Sequence, residues 1–284
     1  MIDAHLHVWD HARSSYAWLE NAPEPLRADH TLDQAFAALT GAGVQRAVLV
    51  QADETLAETD YLLELVAADR RLAGAVCYLP LEEPETVAAQ LPALTATPGF
   101  VGIRNLTHDR PDPDWILGAE QRRSLALIEE AGVPLDYVSV LPRHLENLIR
   151  LAGEHSGLTF VLDHLGKPPI GLDGDYRRWQ DQLAEVAGPA NVMAKVSGIY
   201  SADGTRAVSA EELDDVLATA LTAFGPERLM IGSDWPMCTV AGGTEATMSV
   251  LTAAVDRLPA GSAQALREGT ATRVYRLDTP VSDQ

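Results

Sequence analysis

Two histidines near the start of the chain and one aspartate near its end carry the clearest chemical signal in the sequence. His5 and His7 lie in residues 2–8, a run with strand character, and Asp234 follows a second short apolar run, residues 229–233. Because alternate residues of a strand point to the same face, the two imidazoles can converge on one point. Imidazoles and carboxylates hold metal ions or move protons, so the three residues predict a hydrolytic site that the whole fold must assemble.

Short β-rich runs alternate with amphipathic stretches along the chain, and these elements must position the three residues. The predicted strands are 2–8, 46–51, 72–79, 100–105, 134–138, 159–163, 192–196 and 229–233. The predicted helices between and after them are 31–39, 58–68, 84–94, 119–131, 143–152, 175–187, 210–223 and 245–257. A strand–helix unit repeated eight times predicts a (β/α)8 TIM barrel, formed as one domain by residues 1–284. A final helix at 259–276 is expected to pack outside. A doubly wound open sheet is the alternative, but no GxGxxG follows the first strand.

The predicted strands end in polar side chains, where a barrel of this kind places its active site. Such side chains are costly to bury unless they are paired or functional. The predicted catalytic and metal-binding residues are His5, His7, His164 and Asp234. The predicted substrate-binding residues are Trp9, Gln51, Arg104, Asp136, Lys195 and Trp235.

Structural roles are open for the same residues. The first two histidines could plug the strand end, His164 could be a hydrogen-bonded core residue, and Asp234 could cap the turn after the eighth strand. Arg104 and Lys195 could form a buried ion pair with a strand-end aspartate, Asp136 or Asp163. The tryptophans could pack in the core or line a wall for a sugar-like substrate. Ordinary surface or loop roles are expected for most of His11, His30, His108, His144 and His155.

Composition excludes several classes of partner. The 284 residues carry a net charge of −20, which argues against nucleic acid or an anionic membrane. Cys77 and Cys238 are far apart, so no disulfide framework is expected. The first residues lack the pattern of a signal peptide and no run of eighteen apolar residues occurs, so we expect a cytoplasmic protein with a small-molecule substrate. The oligomeric state stays open, a homo-oligomer included.

Several short motifs resemble those of the amidohydrolase superfamily, and the resemblance covers nearly the whole chain. The motifs are IDAHLHVWD at 2–10, GIRN at 102–105, DHLGKP at 163–168, AKVSG at 194–198, GSDWP at 232–236 and RVYR at 273–276. They are most similar to the sugar-lactone hydrolases of the L-fuconolactonase and L-rhamnonolactonase type. The resemblance implies a distorted barrel, a site at its carboxyl-terminal mouth, a role in carbohydrate metabolism, and His5, His7, His164 and Asp234 as the catalytic or metal-binding set.

The chain departs from the superfamily pattern at its fourth and fifth strands. Arg104 stands where many metal-dependent members have Lys or Glu, and Asp136 stands where they have His. These departures argue against a bridged two-metal centre. Two alternatives stay open, namely one divalent ion such as zinc and a site that works without metal. Asn105 replaces a histidine that relatives often carry, which predicts a different substrate preference.

Opening a lactone requires deprotonation of a water, polarisation of the carbonyl and protonation of the leaving alkoxide. We expect Asp234 to be the general base. The three histidines would polarise the carbonyl, either directly as cationic donors or through one metal ion. The main alternative is a metal-dependent, non-oxidative decarboxylase of an aromatic or muconic acid, and a non-catalytic binding barrel is the third.

Overall fold

Eight parallel strands form one sheet, with each strand hydrogen-bonded to its neighbour in chain order. The computed structural model describes residues 1–172 and 174–278; residues 173 and 279–284 of the predicted domain lie outside them. The strands are β1 Ile2–Leu6, β2 Arg46–Val50, β3 Leu72–Cys77, β4 Phe100–Asn105, β5 Leu135–Tyr137, β6 Phe160–Leu162, β7 Val192–Val196 and β8 Leu229–Ile231. This order confirms the TIM barrel and excludes the doubly wound sheet, whose strand order reverses.

One helix follows each strand and covers the outside of the sheet. The helices are α1 Leu32–Leu39, α2 Leu56–Ala68, α3 Pro84–Ala96, α4 Ala119–Ala131, α5 Pro142–Glu154, α6 Tyr176–Val186, α7 Ala210–Phe224 and α8 Thr244–Asp256. Capping boxes start two of them, at Thr31 with Gln34 and at Ser209 with Glu212. Across residues 1–172 and 174–278, no helix is long and apolar enough to cross a membrane.

The seam between β1 and β8 brings the two ends of the chain together at the site. A single bridge joins Leu6 to Trp235, and the Asp234 amide donates to the His5 carbonyl at 2.9 Å. Asp3 adds a second link, since its Oδ1 accepts hydrogen bonds from the amides of His5 and Ser233 at 3.0 and 2.9 Å. The seam therefore sets His5 and Asp234 side by side, although they are distant in sequence.

The C-terminal helix differs from the prediction in one respect. It comprises α9 Ala260–Gln264, a π-helical turn Ala265–Gly269 and α10 Thr270–Val274. Directly after it, Tyr275 is fully buried among side chains of the barrel interior, and its hydroxyl donates to the Asp136 carboxylate at 2.8 and 3.0 Å. The segment predicted to pack outside therefore also inserts a side chain into the barrel at its end.

Candidate active site

Three imidazoles and one carboxylate converge at the carboxyl-terminal end of the barrel. The Oδ1 atom of Asp234 lies 3.7, 3.6 and 3.8 Å from the Nε2 atoms of His5, His7 and His164. The Nε2 atoms of His5 and His7 are 3.0 Å apart. All four residues are buried. The structure thus brings together the four residues that the sequence predicts as the catalytic or metal-binding set.

Left-handed backbone conformations aim two of these side chains. His164 has φ 54° and Asp234 has φ 56°, and the turn Asp163–Gly166 also holds Leu165 at φ 52°. Asp163, predicted as the last residue of a strand, instead begins this turn. A non-glycine residue in this region costs roughly 1–3 kcal/mol and persists where the surrounding structure enforces it, often at a functional site.

The second nitrogen of each imidazole is held by the surrounding barrel. His7 Nδ1 lies 2.8 Å from the Val50 carbonyl; because a carbonyl only accepts, Nδ1 carries a hydrogen, and Nε2 faces Asp234 Oδ1. His164 Nδ1 lies 3.0 Å from Ser197 Oγ, just after β7. His5 Nδ1 lies 3.1 Å from Lys195 Nζ and 3.3 Å from Asp163 Oδ1. Such contacts fix ring orientation at metal and catalytic sites.

Burial controls the protonation of the site. It lowers the pKa of His164 to about 3 and, together with the nearby Lys195 charge, holds the pKa of His5 well below its usual range. Burial alone would raise the pKa of Asp234, but the neighbouring His164, His7 and Lys167 outweigh it and keep that pKa low. At neutral pH, His5 and His164 are therefore neutral beside an ionised carboxylate. This disfavours the alternative in which these two imidazoles act as cationic donors.

Three of these side chains, those of His5, His7 and Asp234, fit a single divalent ion. Donor atoms of His5, His7 and Asp234 lie within 4.8 Å of one another. Tetrahedral zinc with bonds of about 2.0–2.2 Å sets its donors about 3.3–3.6 Å apart, close to the distances between these Nε2 and Oδ1 atoms. A second grouping of His5, Asp163 and His164 is less suitable, since Asp163 already pairs with cations.

A chain of buried charges lies next to the imidazoles. Lys195 Nζ pairs with the Asp136 carboxylate and lies 3.2 Å from Asp163 Oδ1. Arg104 Nε donates to Asp163 Oδ2 at 2.7 Å. Burial alone would raise the pKa of Asp163, but Lys195, His5 and Arg104 hold it well below its usual range. The buried ion pair left open by the sequence is thus present, and it satisfies Lys195 without a substrate.

A cavity of about 240 Å³ opens above the imidazoles. It is lined by His7, Trp9, Trp18, Ala52, Arg104, Leu106, His108, Asp109, Val138, Val140, His164, Lys167, Asp234 and Met237. Among the predicted substrate-binding residues, Trp9 and Arg104 line it. The described lining does not include Gln51, Asp136, Lys195 or Trp235.

The contacts of these four residues in the structure favour a scaffold role over substrate binding. Lys195 and Asp136 satisfy each other in the barrel interior. Gln51 donates its amide to the Arg104 carbonyl at 3.0 Å. Trp235 stacks edge-on against His30, with ring centroids 5.2 Å apart, and belongs to the seam. Each is part of the scaffold around the cavity.

Four residues near the cavity were not in the predicted set. His108, expected on the surface, lines the cavity, and burial lowers its pKa to about 4. Lys167 and Asp109 also line it, and Tyr200 donates its hydroxyl to Asp234 Oδ2 at 3.1 Å. Only Lys167 had a sequence signal, since it belongs to the DHLGKP motif. The others lie in loops without periodicity.

Comparison with known proteins defines the family. A family model described as Amidohydrolase matches residues 2–277, and the chain belongs to this family. The chain is 32% identical to an L-fucono-1,5-lactonase of Burkholderia multivorans, over 98% of this chain and 97% of that protein. It is 30% identical to an L-fucono-1,5-lactonase of Burkholderia ambifaria, over 100% of this chain and 98% of that protein. The predicted hydrolase of the amidohydrolase superfamily is thereby confirmed.

Solved structures agree with this assignment. A crystal structure of an amidohydrolase from Burkholderia multivorans with bound HEPES superposes with a TM-score of 0.89, at 31% identity over 98% of this chain and 99% of that one. A second crystal form of that protein, with bound zinc, gives a TM-score of 0.86 at 32% identity over the same shares. The amidohydrolase type of barrel is therefore confirmed.

Proposed function

We propose that the protein opens the lactone ring of a sugar acid, of the L-fucono-1,5-lactone class, by water attack on the carbonyl carbon. The observation that carries this proposal is the convergence of Asp234 Oδ1 with three imidazole Nε2 atoms beneath the cavity. Full-length similarity to two lactonases supports the choice of a lactone as substrate.

The proposed reaction uses the protonation states described above. The Asp234 carboxylate accepts a proton from the attacking water, and the water oxygen bonds to the carbonyl carbon. His5, His7 and Asp234, with His164 beside them, would hold a divalent ion, such as the zinc in the Burkholderia multivorans structure. When bound, the ion supplies Lewis-acid polarisation of the carbonyl. The ring C–O bond then breaks, and the proton held by Asp234 passes to the ring oxygen, which leaves as a hydroxyl group.

Substrate orientation is assigned to three residues of the cavity lining, Arg104, Trp9 and Trp18. Arg104 donates through Nε to Asp163 and through Nη1 to the Gln51 carbonyl at 3.0 Å, so its guanidinium is held in place. This arrangement leaves Nη2 to contact a substrate oxygen. Trp9 and Trp18 pack edge-to-face, with centroids 5.4 Å apart, and form an aromatic wall suited to a sugar ring.

A panel of substrates tests the proposed function. The purified protein is mixed with L-fucono-1,5-lactone, related 1,4- and 1,5-lactones of sugar acids, and aryl carboxylic acids. Acid release is followed with a pH indicator, and carbon dioxide is measured in parallel. We expect acid release from one or more of the lactones well above the rate without enzyme. Carbon dioxide release from the aryl acids would support the decarboxylase, and no turnover of either class would support a binding barrel.

Arg104→Lys tests the role of the guanidinium in substrate binding. The variant keeps the charge but loses the planar fork, so we expect KM to rise several-fold and kcat to change less. Initial rates over a range of lactone concentrations separate the two constants. If KM and kcat stay at wild-type values while the melting temperature falls, Arg104 serves the scaffold through Asp163 and does not bind substrate.

Elemental analysis tests the metal content. The residues described offer one group of donors around Asp234 Oδ1, so we expect no more than one transition-metal ion per chain after purification. Inductively coupled plasma mass spectrometry of the purified protein, with and without added zinc, gives the stoichiometry. Two tightly bound ions per chain would contradict the single-site assignment.

A further inference from the structure

The two oxygens of the Asp234 carboxylate have different surroundings. Oδ1 faces the three imidazole Nε2 atoms at 3.6–3.8 Å. Oδ2 points the other way and accepts a hydrogen bond from the Tyr200 hydroxyl at 3.1 Å. Tyr200 lies in the loop after β7 and was not a predicted site residue. A carboxylate with unlike neighbours on its two oxygens can be held in one rotamer.

The segment that leads to Tyr200 packs directly against two site residues. A Cβ added at Gly198 would lie 2.6 Å from Asp234 Oδ2 and 2.6 Å from His164 Nδ1, and Gly198 has φ 56°. Only glycine tolerates both the close approach and this backbone conformation. Ser197 Oγ lies 3.0 Å from His164 Nδ1. Ser197 and Gly198, directly after β7, therefore form a platform that contacts both His164 and Asp234.

Tyr200 is itself held on both sides. It forms an antiparallel bridge with Ala207, which closes the loop after β7. Lys167 Nζ lies 5.4 Å from the centroid of the tyrosine ring and 3.5 Å from the Gly198 carbonyl oxygen. The ring is thereby fixed relative to the platform, so its hydroxyl can impose a direction on the carboxylate.

We propose that Tyr200 is a positioning residue for Asp234. Its hydroxyl donates to Oδ2 and so keeps Oδ1 directed at the point where the imidazoles converge and the attacking water is deprotonated. This inference rests on the proposed lactone hydrolysis. Tyr200 lines a neighbouring cavity with Lys167 and is not in the described lining of the cavity above the imidazoles, so its contribution is assigned to the orientation of the base.

Tyr200→Phe removes the hydroxyl and keeps the ring. A hydrogen bond to a charged group is among the stronger ones, so we expect kcat for the lactone to fall by about 10- to 100-fold. Because the hydroxyl does not contact substrate, KM should stay within about threefold of wild type. Tyr137→Phe is the matched control, since it also removes a buried hydroxyl. That hydroxyl lies away from the site and donates to the His144 carbonyl at 3.0 Å. That variant should keep wild-type kcat even if its melting temperature falls.

A double-mutant cycle separates positioning from a general structural effect. On an Asp234→Asn background, Tyr200→Phe should lower the residual rate by no more than about twofold, because the two residues act as a unit. An equal loss on both backgrounds would overturn the inference, as would full kcat in Tyr200→Phe. If the wild-type protein opens no lactone, the proposed function fails and the inference fails with it. Wild-type activity with an unaffected Tyr200→Phe variant rejects the inference alone.

Discussion

Asp234→Asn is expected to lower kcat for lactone hydrolysis by roughly a hundredfold or more, because the amide cannot accept the proton of the attacking water. Asparagine is nearly isosteric with aspartate, so the barrel should still fold. The loss should appear in kcat and in kcat/KM alike, as for a group that acts in the transition state. Initial rates with a pH indicator, corrected for spontaneous opening, give both constants.

Asp109→Asn provides the matched control for this loss. Its carboxylate also lines the cavity, but its side chain is 54% exposed and lies 3.4 Å from His108. The same chemical change at this position should alter kcat by no more than about threefold. If Asp234→Asn keeps near wild-type activity in a folded protein, Asp234 is not the base and the proposed mechanism is wrong.

Lys195→Met is expected to lower the free energy of unfolding by about 3–5 kcal/mol, because it removes one partner of a buried ion pair. The substitution leaves the Asp136 and Asp163 carboxylates close together in the barrel interior without the ammonium group between them. Urea unfolding followed by circular dichroism measures the loss. Asp136→Asn in the same chain should recover part of it, since it removes the carboxylate charge that the ammonium group had balanced.

An exposed ion pair supplies the comparison for Lys195. Arg177 and Asp181 pair at 3.3 Å on α6 with side chains 84% and 66% exposed, so Arg177→Met should cost no more than about 1 kcal/mol. If Lys195→Met instead unfolds at the wild-type urea concentration and shows a raised KM, Lys195 contacts substrate. The original prediction for this residue would then stand, and the buried pairing would not be its main role.

Parts of the fold and site could be predicted because their signals are local. The spacing of His5 and His7 follows from the two-residue period of a strand, and alternating strands and helices identify a barrel. The depth at which a side chain lies inside the barrel could not be predicted in this way. Lys195 and Arg104 both lie on strands next to polar ends, but their places depend on pairing across β4 to β7, which no single segment contains.

A second cause explains why the sequence did not predict some residues of the site. Tyr200 and His108 lie in loops after β7 and β4, where no hydrophobic period indicates which side chains turn inward. Tyr275 follows a helix that reads as a surface element, yet it reaches Asp136 in the barrel interior. The contacts of Tyr200 with Asp234 and of Tyr275 with Asp136 join segments far apart in the chain, so sequence patterns around either partner do not reveal them.

Hydrolysis in water enriched in oxygen-18 tests the central claim most directly. The protein opens L-fucono-1,5-lactone, or the best substrate of the panel, in labelled water, and the product is analysed by mass spectrometry beside a reaction without enzyme. Water attack on the carbonyl carbon predicts one labelled oxygen in the new carboxylate and none in the hydroxyl released from the ring, at a rate far above the uncatalysed one. Label in the ring hydroxyl, or no catalysed opening of any lactone in the panel, would contradict it.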